Sequence, residues 1–207
     1  MIKDTFLREF MLRRICLTID VSILIITYII WQKQVKLMEN KTVQSKNKYS
    51  AELSQKVVGL MKLFLGKSLG NFPVPCVTKW MEGTLLEVER GVIAMSIKVR
   101  PEMTNPGGYL HGGTQSAMLD DAMGNACATL GYETAFLSTN LSVDYLGTAA
   151  AGDTVTVRAY IYREGNSLMH VVGEIKKDDV VIAKGQSNVF ISNQPADYVN
   201  FIKSFKL

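Results

Sequence analysis

A glycine-rich turn that leads into a helix constrains this chain more than any other feature of its 207 residues. The turn runs from Asn105 to Gly113 as NPGGYLHGG, and the apolar spacing after it predicts a helix over about residues 112–130. A helix N-terminus offers unpaired backbone N–H groups and a positive dipole end, which together can hold an oxyanion. Asp120 follows a little over two turns later, and a carboxylate there can activate water.

Strand patterns lie on both sides of this helix. From Val77 onward the chain reads as strands, and residues 84–89 and 92–99 flank a hairpin turn at Arg90-Gly91. Four more runs follow the helix, at about 136–146, 153–163, 167–176 and 180–191. The order of two strands, one long helix and a four-strand meander predicts an α+β fold, in which an antiparallel sheet wraps around one central helix.

The chain divides into four predicted parts. Residues 1–37 are either a membrane anchor or an adventitious extension. Residues 38–70 hold a polar linker and a helix of about 51–66 that Ser50 caps. Residues 71–195 form the main domain, and residues 196–207 are a C-terminal tail.

The apolar run from Ile15 to Trp31 is the one candidate for membrane association. It is shorter than the roughly 20 apolar residues of a spanning helix, and it contains Asp20. Basic charge is concentrated nearby, with 12 Lys/Arg against 5 Asp/Glu in residues 1–70. We therefore expect a cytoplasmic protein, which is membrane-associated if this run is a genuine part of the protein.

The sequence lacks the residues that several other kinds of site require. The three cysteines are far apart without a C-x-x-C pair, and there are two histidines, so we expect no metal site. No G-x-S-x-G elbow or G-x-G-x-x-G loop occurs, which argues against a serine hydrolase and a dinucleotide cofactor. We expect no cofactor, and nothing in the globular part indicates nucleic-acid binding.

The chain resembles the hotdog-fold acyl-CoA thioesterases of the phenylacetate-pathway (PaaI-like) type. The resemblance lies in a spaced motif formed by Asn105, Gly108, His111-Gly112-Gly113 and Asp120. The motif of that family is Asn-x-x-Gly-x-x-His-Gly-Gly with an acidic residue nine positions after the histidine. The resemblance covers about residues 77–194. It continues through short motifs around Ser138, Tyr145, Gly152 and Arg163.

The resemblance implies a role for each matching residue. The Gly112 N–H polarises the thioester carbonyl with help from Asn105, Asp120 acts as base or nucleophile, and Ser138 positions water or the carboxylate. The remaining expected substrate-binding positions form the turn and the loops that would contact coenzyme A: His111, Gly113, Tyr145, Gly147, Arg163, Gly165 and Asn166. His111 is favoured as a brace of the turn over a general base. The family often has a basic residue where Asn166 stands.

Helix geometry gives an independent expectation about assembly. Gly112 and Asp120 are eight residues apart, which is about 12 Å along a helix and too far for both to reach one thioester carbon. A two-fold dimer would bring Asp120 of one subunit to Gly112 of the other. We therefore expect a homo-oligomer with the dimer as its minimal unit. Asp121 points about 100° away from Asp120 and is expected to be dispensable.

The function predicted from these residues is hydrolysis of an acyl-CoA thioester to coenzyme A and a carboxylic acid. The alternative is an acyl-CoA-binding or sensor protein of the same fold that does no hydrolysis. A hotdog dehydratase is a third hypothesis, which the spacing of the motif fits less well.

Overall fold

The computed structural model describes residues 49–71 and 77–204, together with Tyr28 and Gln32. The chain divides into two units, Met1–Lys46 and Asn47–Leu207. In the first unit, Gln32 Nε2 donates a hydrogen bond to the Tyr28 hydroxyl at 2.9 Å. The predicted membrane run lies outside the described residues except for Tyr28. No helix within the described residues is long and apolar enough to cross a membrane.

The described residues of the second unit form four α-helices and a six-stranded antiparallel sheet. The helices are α1 (Ala51–Lys62), α2 (Val77–Met81), α3 (Gly112–Ala128) and α4 (Asp197–Ser204). The strands are β1 (Thr84–Glu89), β2 (Val92–Lys98), β3 (Thr134–Tyr145), β4 (Thr154–Glu164), β5 (Leu168–Lys177) and β6 (Val180–Pro195). Short 3₁₀ helices occupy Leu69–Asn71 and Pro101–Met103.

The sheet confirms the predicted antiparallel architecture but not the predicted four-strand meander. The strand order is β1-β2-β4-β5-β6-β3, so only β4, β5 and β6 follow one another as a meander. β3 pairs with β6 and lies at the edge, while β4 pairs with β2. Periodicity revealed each strand, but it carries no information on which strand pairs with which.

The long helix α3 packs closely against the middle of the sheet, as predicted. Gly173 on β5 and Gly185 on β6 are direct cross-strand partners beneath it. A Cβ at Gly185 would lie 3.0 Å from Leu119, and one at Gly173 would lie 3.2 Å from both Leu119 and Met123. These two glycines let the helix approach the sheet, and Leu119 and Met123 are almost completely buried there.

Three boundaries differ from the sequence predictions. α1 begins at Ala51 with the predicted Ser50 cap, whose Oγ accepts from Leu53 N at 3.1 Å, but it ends at Lys62 before a turn. Residues from Val77 first form the short helix α2, and the strands begin only at Thr84. The predicted C-terminal tail contains α4, which packs Val199 and Ile202 into the core with α1.

Candidate active site

The turn before α3 is held together largely by Asn105. Its Oδ1 accepts hydrogen bonds from Gly107 N at 2.9 Å and Tyr109 N at 3.3 Å. The backbone N–H of Asn105 donates to Tyr109 O, and its backbone carbonyl accepts from Gly108 N. Gly108 has a φ of 80°, which favours glycine. The side-chain carbonyl oxygen of Asn105 is therefore occupied by hydrogen bonds within the turn. No described residue accepts from its amide NH₂, so that group is free to face a ligand.

His111 caps α3. Its backbone is extended, and its Nδ1 accepts a hydrogen bond from Gly113 N at 2.8 Å. This hydrogen bond from the first turn of α3 supports the predicted bracing role of His111. The Gly112 N–H makes no hydrogen bond to another described residue, as expected of the first turn of a helix. The cap thus satisfies Gly113 and leaves the Gly112 amide available for an oxyanion.

Asp120 and Ser138 are brought together by the fold. Asp120 lies exposed on α3, and Ser138 Oγ donates a hydrogen bond to its Oδ1 at 3.0 Å. The pair lines a shallow cavity of about 430 Å³ together with Ser116, Ala117, Thr139, Asn140 and Leu141. The site therefore combines a carboxylate, a hydroxyl that orients it, and room for a reacting group.

A register shift in β3 explains why Ser138 reaches Asp120. Simple alternation would put Ser138 on one face with Asn140, Ser142 and Asp144, which reads as an ordinary polar face. The β3–β6 register instead shifts between Ser138 and Asn140, so Ser138 pairs with buried Val189 while Asn140 pairs with Asn188. A bulge of this kind redirects one side chain to the opposite face of a sheet. Sequence periodicity gave no signal for it.

Tyr145 joins the end of β3 to the start of α3. Its hydroxyl and the Ser116 hydroxyl share a hydrogen bond of 2.7 Å. A Cβ built at Gly112 would lie 3.4 Å from the Tyr145 ring, an ordinary van der Waals distance, so the ring lies against the first residue of α3. Just beyond, Gly147 N donates to Ile182 O at 3.0 Å. The structure thus places the Tyr145 ring next to Gly112 and Ser116 at the start of α3, a proximity that spacing did not predict.

The predicted residues Arg163, Gly165 and Asn166 lie at the β4–β5 hairpin. Arg163 and Asn166 are exposed, and a Cβ at Gly165 would lie 2.5 Å from Leu168 O. Within the described residues, the side chains of Arg163 and Asn166 form no hydrogen bond with the Asp120 cavity or the Asn105 turn. None of these three residues lines the Asp120 cavity.

Other reactive groups do not form a competing centre. Burial raises the pKa of the Cys127 thiol to about 12, so it is a poor nucleophile. His170 lies on β5, where its Nδ1 is 3.1 Å from Asn188 Oδ1 and its ring packs edge-on against Tyr162. No three His, Cys, Asp or Glu side chains of the described residues are grouped so that they could hold a metal ion.

Comparison with known proteins places this geometry in a family. The model of the thioesterase superfamily matches residues 107–184. A phenylacetic acid degradation-related protein of Ralstonia eutropha JMP134 is 30% identical with a TM-score of 0.54, over 59% of this chain and 94% of that one. The E. coli PaaI protein is 19% identical with a TM-score of 0.59, over 69% of this chain and 98% of its own, and supports the fold alone.

Among curated proteins, human Acyl-coenzyme A thioesterase 13 is 24% identical over 112 residues, which is 53% of this chain and 80% of that one. A six-stranded antiparallel sheet packed on one long helix, with the glycine turn at its start, is the hotdog fold of thioester hydrolases. The chain belongs to the thioesterase superfamily, and it is a thioester hydrolase.

Proposed function

We propose that this protein hydrolyses an acyl-CoA thioester, with Asp120 as the base or nucleophile. The observation that carries the proposal is the 3.0 Å hydrogen bond from Ser138 Oγ to Asp120 Oδ1 at an open cavity. Asp120 either takes a proton from water as the water attacks the thioester carbonyl, or attacks that carbonyl itself to form an anhydride that water then cleaves. In both routes the thiolate of coenzyme A leaves and takes up a proton.

The oxyanion that forms on the carbonyl oxygen needs donors that are already in place. The free Gly112 amide at the start of α3 is one, and the Asn105 side-chain NH₂ is the other. Both are held by the same turn, and the dipole of α3 adds positive potential at this end. The capping bond from Gly113 N to His111 Nδ1 holds the first turn of α3, to which the Gly112 amide belongs.

These two halves of the chemistry work together in a dimer. Gly112 and Asp120 lie on one continuous helix of 17 residues, so the separation expected from their spacing, about 12 Å, holds in the folded protomer. The 12-residue strand β3 forms an edge of the sheet with exposed Leu137 and Tyr145, and long unpaired edges are usually covered. A second copy paired along this edge, with antiparallel central helices, would complete two composite sites.

Coenzyme A is the proposed carrier because of the name of the human relative and because of the residues whose motifs resemble those with which the family contacts coenzyme A. Tyr145 and Gly147 would lie along the pantetheine arm. Arg163, Gly165 and Asn166 would approach the phosphates from their hairpin. The alternative, an acyl-CoA binder without hydrolysis, has no use for a carboxylate that a hydroxyl orients at the cavity.

The test is release of the coenzyme A thiol from a panel of acyl-CoA thioesters. Wild-type protein should release thiol, and Asp120→Asn should lose at least about 100-fold in kcat while its thermal unfolding is unchanged. Asp179→Asn serves as the control, because it removes one aspartate charge in the β5–β6 turn at a positive φ that asparagine tolerates. Full activity of Asp120→Asn would refute the assignment, and absence of thiol release by the wild type would favour the binder.

A further inference from the structure

Two polar clusters on α3 lie outside the cavity of the candidate active site. In one, Thr78 Oγ1 on α2 donates to Asp121 Oδ1 at 2.7 Å and Asn125 Nδ2 donates to Asp121 Oδ2 at 3.2 Å, so its side chains satisfy one another. The other is Gln115 in the first turn of α3, which is only 4% exposed. Its Nε2 donates to Leu110 O at 3.2 Å, whereas its Oε1 is buried without a hydrogen-bond partner among the described residues.

The stability of the fold gives little reason for glutamine at position 115. The side-chain NH₂ satisfies the Leu110 carbonyl, but the buried Oε1 is then itself unpaired. An apolar side chain of similar length, such as methionine, would also leave one buried acceptor unpaired, which would be Leu110 O. Burial also removes the rotamer freedom of a long polar side chain. What glutamine adds over methionine is therefore a fixed geometry at Leu110.

That geometry belongs to the junction between the glycine turn and α3. Leu110 N donates to Ala149 O at 2.7 Å, and His111 N donates to Met103 O at 2.9 Å. The Leu110 carbonyl accepts from the Gln115 side chain, and the His111 carbonyl accepts from Gln115 N at 3.0 Å. All four backbone polar groups of Leu110 and His111 are thus held, and Gln115 supplies two of their partners.

The next backbone N–H along the chain is that of Gly112, the proposed oxyanion donor. A peptide unit is planar, so the direction of the Gly112 N–H is set by the His111 carbonyl of the same unit. Gln115 N holds that carbonyl, and the Gln115 side chain holds the carbonyl of the preceding unit. The orientation of two successive peptide units before the helix therefore depends on one residue.

We propose that Gln115 is a positioning residue for the oxyanion donor, whose side-chain bond to Leu110 O aims the Gly112 amide at the thioester carbonyl oxygen. This inference rests on the proposed function and adds to it a residue that does not touch substrate. A donor stabilises the oxyanion only while its direction and distance are held, so a small misorientation lowers kcat. An apolar side chain at position 115 releases the Leu110 carbonyl and lets the junction tilt.

The test replaces the amide by two apolar side chains, in Gln115→Met and Gln115→Leu. Both variants lose the donor to Leu110 O, but only methionine keeps the unbranched shape. With the acyl-CoA that the wild type hydrolyses fastest, kcat should fall about 10–100-fold in both variants while KM changes little. The unfolding temperature of Gln115→Met should stay within about 4 °C of the wild type, because one buried acceptor is unpaired in both proteins.

Gln186→Met is the matched control. Gln186 is exposed on β6 and follows Gly185, which faces α3, so its side chain lies on the opposite face of the sheet. This control should keep the wild-type kcat and KM. Wild-type kcat in Gln115→Met would overturn the inference. Failure of both Gln115 variants to fold, or kcat values that differ more than tenfold between them, would also overturn it, because packing rather than the donor would then matter.

The inference and the proposed function can fail separately. If the wild-type protein releases no thiol from any acyl-CoA, the proposed function falls and the role of Gln115 falls with it. If Asp120→Asn loses activity while both Gln115 variants keep the wild-type rate, only the role of Gln115 is refuted.

Discussion

The two polar ends of the Asn105 side chain have different surroundings. Its Oδ1 accepts from Gly107 N and Tyr109 N and so shapes the turn, whereas its NH₂ has no partner among the described residues. The family motif indicates that an asparagine belongs here. The hydrogen bonds supply the physical reason, because aspartate would keep the turn but lose the donor.

Asn105→Asp should therefore separate folding from chemistry. Thermal unfolding should stay close to that of the wild type, because either oxygen can accept the turn bonds. We expect kcat to fall about 10²–10³-fold, since the substitution removes an oxyanion donor and adds a negative charge. Thiol release and thermal melts on the same preparation measure both effects. Unchanged kcat would show that Asn105 acts only on the turn.

At the scale of the elements, the junction between α1 and α3 depends on a close backbone approach. Gly131 ends the long helix region with a φ of 88°, and a Cβ there would lie 2.4 Å from Ser50 O and 2.7 Å from Ser54 N. Ser50 N also donates to Gly131 O at 2.8 Å. The sequence predicted that the helix ends at about residue 130, but only the folded chain reveals that the start of α1 is packed onto the glycine that follows.

Gly131→Ala should be one of the most damaging small substitutions in the chain. Left-handed strain and the backbone clash together should cost about 2–5 kcal/mol of the free energy of unfolding. Gly66→Ala is the matched control, because Gly66 has a φ of 71° but nothing within 4 Å of its added Cβ. That control should lose only about 1–2 kcal/mol. Equal losses in denaturant titrations would show that the clash is relieved by movement of α1.

At the scale of the whole molecule, the proposed chemistry is divided between two ends of one helix. The free Gly112 amide and the Asn105 NH₂ lie at the start of α3, and the Asp120–Ser138 pair lies two turns on, against the edge strand β3. An exposed edge strand and an open cavity beside it both suit coverage by a second copy.

Subunit mixing tests this division directly. Asp120→Asn and Asn105→Asp homodimers should each be nearly inactive. After exchange of subunits in equal amounts, half the dimers would carry one intact composite site, so thiol release should recover to about a quarter of the wild-type rate. Mixing either variant with itself under the same conditions is the control. No recovery despite proven subunit exchange would place both functional groups of a site within one chain.

Interactions between residues close in sequence determined most of the local structure of this protein. The glycine turn, the cap at His111, the helix over Gly112–Ala128 and the existence of the strands all depend on neighbouring residues, and the spaced motif was enough to indicate the thioesterase superfamily. Tertiary structure decided the strand order, the shift after Ser138 and the Thr78–Asp121–Asn125 contacts. These features depend on register and packing between segments far apart in the chain. The periodicity of any one segment carries no information about its partner segment or their register.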